Sequence, residues 1–82
     1  MNNGHAGSAD WVRGILHQYE GGLTRYARRI VGDDERARDV VQETFLKLCH
    51  EDRHALDGYL VEWLYTVCRN KALDVQIGRA HV

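Results

Sequence analysis

Not one of the chain's 82 residues is proline. Proline breaks helices by removing a backbone donor and clashing with the preceding turn, so this chain is free to run long helices. Its apolar residues are spaced to use that freedom. Val12, Ile15, Leu16, Tyr19, Leu23, Tyr26, Ala27 and Ile30 recur three and four residues apart, which gathers them into one stripe of a helix over about 11–31. Ser8 or Asp10 is available as its N-cap, and Gly32 follows as a left-handed C-cap would. Gly21-Gly22 falls in mid-stripe, where each glycine costs roughly 1 kcal/mol against alanine, and a bend is expected there. Residues 1–9 are small and polar and are expected to form a flexible lead-in.

A second helix is capped by Asp33 or Asp34 and carries acids in its first turn and Lys47 and His50 near its end, as the helix dipole favours. Ala37, Val40, Val41, Thr44, Phe45 and Leu48 form its core stripe; Asp39, Gln42, Glu43 and Leu46 fall on or near the opposite face. The polar segment 51–57 reads as a loop. A third helix is expected over 59–75, burying Leu60, Trp63, Leu64, Val67 and Leu73. The ending Ile77-Gly78-Arg79-Ala80-His81-Val82 breaks the stripe and resembles the translation of a sequencing adapter. Residues 77–82 are therefore expected to be a non-native tail after a domain spanning 10–76. The fold class expected is all-α, a compact three-helix bundle.

Composition narrows the function. Eighty-two residues make one small domain, with so thin a stability margin that a partner can complete the fold. No apolar run is long enough to span a bilayer, and the N-terminus lacks a signal-peptide core; the cytoplasm is the expected compartment, with no membrane partner. A net charge of −1 and a pI near 6.5 are unlike a free-standing duplex-DNA binder, so any basic surface must be local. Cys49 and Cys68 both fall in apolar helical register, where buried free thiols are expected. A metal site from Cys49, His50, His54 and Cys68 matches no common zinc spacing. Neither metal nor cofactor is expected.

Two segments exceed a generic bundle. One is Gly32-Asp33-Asp34-Glu35-Arg36-Ala37-Arg38-Asp39-Val40-Val41-Gln42-Glu43-Thr44-Phe45-Leu46-Lys47-Leu48; the other is Trp63-Leu64-Tyr65-Thr66-Val67-Cys68-Arg69-Asn70-Lys71-Ala72-Leu73-Asp74. Together, over about 23–74, they resemble the second conserved region of bacterial sigma factors of the extracytoplasmic-function group, which pair D-x-V-Q-E-x-F-L with a later W-L-x-x-x-x-R-N-x-A-L-D. The resemblance implies a transcription initiation factor, not an enzyme, that docks on RNA polymerase core and opens promoter DNA. It assigns Asp39, Gln42, Glu43 and Leu46 to the coiled coil of the polymerase's largest subunit. It assigns Arg69, Asn70, Lys71, Asp74 and Tyr65, with Arg53 and His54 in the specificity loop, to the non-template strand of the minus-ten element. Cations beside an exposed amide suit that task, since cations meet phosphates and an amide reads a base edge. An anti-sigma protein is a further partner the resemblance admits. Two rival readings remain: a helical protein-interaction module that never touches DNA, and a small metallo- or thiol enzyme built on the cysteines and histidines.

Overall fold

The computed structural model describes the backbone of residues 3–81 and the side chains of residues 9–78. It contains α1 (Asn3–Val31), α2 (Asp34–Leu48) and α3 (Leu60–His81), with a short 3-10 turn at Arg53–Leu56. The architecture is the all-α three-helix bundle expected, and there is no strand among the described residues.

Helix α2 follows its sequence closely. Asp33 caps it, its carboxylate accepting from the Arg36 backbone N–H at 2.9 Å. Ala37, Val40, Val41, Thr44, Phe45 and Leu48 are all buried. Gly32, at φ 75°, makes the left-handed turn out of α1, and Arg28 Nε holds Asp34 Oδ1 across that turn at 2.8 Å.

The other two helices depart from expectation at their ends. Helix α1 begins at Asn3, so Ser8 and Asp10 lie inside it and neither is its cap; Asp10 instead faces Arg13 one turn on, at 3.9 Å. Helix α3 does not stop near Val75 but continues across Gly78 to His81. One glycine costs only about 1 kcal/mol in a helix, and the Gln76 side-chain amide donates to the Ile30 carbonyl at 3.0 Å, fastening this stretch to α1. Side chains beyond Gly78 lie outside the described residues.

The buried seam of α3 is also shifted. Leu64, Cys68 and Ala72 are fully buried, whereas Trp63, Val67 and Leu73 are half-buried. The reason is close packing: small side chains let backbones approach. Cys68 Sγ lies 3.8 Å from the Leu23 carbonyl of α1 and donates to it. Burial pushes this thiol up to about 11 from 9.0, partly offset by the Thr44 hydroxyl of α2. One atom thus meets all three helices. Cys49, by contrast, is exposed at the C-terminal end of α2, which corrects the expectation that both thiols are buried. Its apolar register holds only while the chain remains helical, and the helix ends at Leu48.

Segment 51–57 is more ordered than a plain loop. Asp52 caps the 3-10 turn, its carboxylate accepting from the His54 N–H at 3.1 Å, and Leu56 plugs the core at 2% exposure. Gly58, at φ 90°, then turns the chain into α3. No helix among the described residues is long and apolar enough to cross a membrane.

Helix α1 runs unbroken through Gly21-Gly22, and only the second glycine is needed for space. A Cβ at position 22 would lie 2.8 Å from Tyr65 Oη, whereas at 21 the nearest atom is 3.6 Å away. We expect Gly21→Ala to raise stability by about 0.5–1 kcal/mol and Gly22→Ala to lower it, with Tyr65→Phe restoring the gain at 22. Denaturant titration measures this, and equal stabilisation at both sites would contradict the packing. We further expect one thiol to react rapidly with an alkylating reagent in the native chain and the second only on unfolding, because the reactive species is the exposed thiolate. Mass spectrometry would locate the first on Cys49; rapid native labelling of Cys68 would overturn its burial.

Candidate functional site

Each α-helical residue advances about 100° around the axis, so the buried stripe of α2 fixes what points outward. Asp39, Gln42, Glu43 and Leu46 share the opposite face, spaced three and four residues apart, and all four are exposed. Leu46 is 57% exposed. An apolar side chain one turn beyond an amide and a carboxylate is a surface suited to a helix bearing both apolar and basic residues. Beside it runs a groove of about 340 Å³ between α1 and α2, with Val12, Leu16, Val41 and Phe45 among its lining and Glu20, Arg38 and Gln42 at its polar margin. The groove was not evident from the sequence, since most of these residues read as core.

The residues expected to meet DNA are not one cluster. Arg69 and Asn70 are exposed, and Asp74 lies one turn beyond Asn70 and is also exposed. Arg69 and Lys71, two positions apart, differ by about 160° around the helix, so they leave the bundle on opposite flanks. Lys71 turns toward α2, where its ammonium lies 3.3 Å from Glu43 Oε1. That ion pair joins a residue of the expected docking set to one of the expected strand-binding set, and neither motif alone announces it.

Tyr65 is half-buried. Its ring meets Tyr26 edge to face at 5.2 Å between centroids, so much of it is committed to the α1 contact. Tyr59 is the more open aromatic at 47% exposure. In the 3-10 turn, Arg53 lies over the Trp11 ring at 6.0 Å, tying that turn to α1, and His54 is exposed with its backbone held by Asp52. The same cap gives Asp52 a structural role in an otherwise acidic loop. Asn70 lies ten residues into α3, about 15 Å along its axis, so loop and amide form an extended surface. A second basic area lies on α1, where Arg25, Arg28 and Arg29 border a hollow next to Gly32.

No group of three or more His, Cys, Asp or Glu side chains among the described residues is placed to hold a metal ion. Cys49 and Cys68 do not form a pair: one is exposed and the other buried. The raised pKa of Cys68 leaves its thiol neutral and shielded, the opposite of what an activated nucleophile needs.

Residues 15–79 match the Sigma-70 region 2 family. The ECF RNA polymerase sigma factor SigL of Mycobacterium tuberculosis, in three strains, is 37% identical over 71 residues, covering 84% of this chain and 40% of the relative. The chain therefore spans about 40% of the length of those curated relatives. No solved structure gives a significant match. With most of its length matching, the chain belongs to the Sigma-70 region 2 family, and its likeness within that family lies with the extracytoplasmic-function group.

Proposed function

We propose that this domain docks on RNA polymerase core through the outward face of α2 and holds the minus-ten promoter element open by capturing its non-template strand along the 3-10 turn and α3. The observation that carries the docking half is Leu46, 57% exposed, which ends the outward face of Asp39, Gln42 and Glu43 one turn beyond the last two. A coiled-coil helix of the polymerase's largest subunit can lay apolar residues on Leu46 and the neighbouring groove while its cations meet the carboxylates. Such a contact sets an apolar anchor at Leu46 and the groove beside the carboxylates, and a few anchors of this kind ordinarily carry most of an interface's binding energy.

Strand capture needs no covalent step and no cofactor. Unpaired bases held by the protein are removed from the duplex equilibrium, and that equilibrium shifts by the differential affinity for the open state. In this reading Asn70 offers its amide to a base edge, Arg69 meets phosphate, and Arg53 and His54 border the base accepted by the loop. Tyr59, more open than Tyr65, is the better stacking surface, a contact worth about 1–3 kcal/mol per base. The partners are then polymerase core and promoter DNA, and the compartment is the cytoplasm, where transcription takes place.

The test separates the two halves. Affinity of the chain for the largest-subunit coiled coil should fall on the order of tenfold or more when Asp39, Gln42 and Glu43 are all replaced by alanine. Asn70→Ala should leave that affinity unchanged and weaken binding to an unpaired minus-ten strand by about tenfold or more. Coiled-coil binding with an indifferent Asn70 would instead favour a protein-interaction module. A folded chain that binds neither partner would end the proposal.

A further inference from the structure

The ion pair between Glu43 and Lys71 joins two helices and the two halves of the proposed function. Lys71 Nζ lies 3.3 Å from Glu43 Oε1. The lysine side chain is 34% exposed and the glutamate 61%, so the ammonium is held against the bundle while the carboxylate stays open to a competitor. Leu46, Lys47 and His50 line the same shallow hollow. A basic helix arriving on Leu46 therefore meets Glu43 already engaged by a cation of the chain itself.

We propose that the Glu43–Lys71 pair is a clasp that couples docking to strand capture. This rests on the docking and capture reading above. In the free chain, Lys71 neutralises a carboxylate that the polymerase contact uses, and the same carboxylate keeps Lys71 from phosphate. An incoming cation on Glu43 displaces Lys71, whose four-carbon stem lets the ammonium swing to the DNA backbone. The coupling is reciprocal by linkage: a phosphate that takes Lys71 frees Glu43 and tightens docking by the same factor. Exposed pairs are weak, so that factor is about fivefold at most. That suits a bias between states rather than a lock.

A double-mutant cycle on the whole chain tests the clasp. Binding to a fluorescein-labelled single-stranded oligodeoxynucleotide carrying a minus-ten sequence is measured by anisotropy at two salt concentrations for wild type, Glu43→Gln, Lys71→Gln and the double variant. Glu43→Gln should tighten binding about twofold to fivefold and steepen the salt dependence by about 0.7, one extra phosphate contact. Lys71→Gln should abolish that gain, so that the double variant binds no better than Lys71→Gln alone. Adding the largest-subunit coiled coil should reproduce the gain in wild type and give none in Glu43→Gln. If the Glu43→Gln gain persists without Lys71, it is general charge removal and the clasp is overturned, while strand binding stands. No strand binding by any variant, with helicity intact by circular dichroism, would overturn the capture reading and the clasp together.

Discussion

The bundle depends on how closely α3 can approach the other two helices at Cys68. Leu23, Thr44 and Cys68 are all fully buried, and the thiol reaches the Leu23 carbonyl at 3.8 Å. A larger side chain at 68 would push α3 away; a charged one would lie in a site that already raises a thiol's pKa to about 11. The fully buried Ala27, Ala37 and Ala72 extend the same logic along each helix. Close approach then brings Tyr65 over Gly22 and Gln76 to the Ile30 carbonyl. Leu23 opposite Cys68, Gly22 opposite Tyr65 and Ile30 opposite Gln76 show α1 and α3 running side by side in the same direction.

That packing sorts the surface. With one stripe of α2 buried, its acids and Leu46 must face outward; with Leu64, Cys68 and Ala72 buried, Arg69 and Asn70 must do the same on α3. The two faces belong to different helices of one rigid junction, which is a sensible layout for a domain proposed to hold a protein on one side and a nucleic-acid strand on another. The Glu43–Lys71 pair is the bridge between them. An overall charge of −1 reflects acids and cations interleaved on the surface, with Asp10–Arg13, Asp34–Arg28 and Glu43–Lys71 in ion pairs.

The start and core stripe of helix α2 were legible in the sequence because the signals on them agree: a capping aspartate, acids first, and five apolar positions with Thr44 at helical spacing. Its end at Leu48, which leaves Cys49 exposed, was not. The buried side of α3 was only partly legible: Leu64 and Cys68 are buried as expected, but apolar residues flank the seam on both sides, so hydrophobicity alone cannot choose between Val67 or Leu73 and the smaller Ala72. Packing distance decides, and that is a property of three helices together. The end of α3 was placed too early because one glycine was weighed as a stop without the Gln76 contact, which comes from tertiary structure. The motifs pointed to Asp39, Gln42, Glu43, Leu46, Arg69 and Asn70 as outward groups, and their exposure agrees. They gave no sign that Lys71 is drawn to α2, that Tyr65 meets Tyr26 edge to face, or that Arg53 rests on Trp11, because each of those contacts pairs residues distant in the chain.

The most direct test of two faces serving two partners is site-specific photocrosslinking, with a photoreactive amino acid at position 46 or at position 70. The chain would be assembled with polymerase core and promoter DNA carrying an unpaired minus-ten element. The account predicts that the probe at 46 attaches to the largest subunit and the probe at 70 to the non-template strand, each without the other. Crosslinks from both positions to protein alone, or from position 46 to DNA, would contradict it.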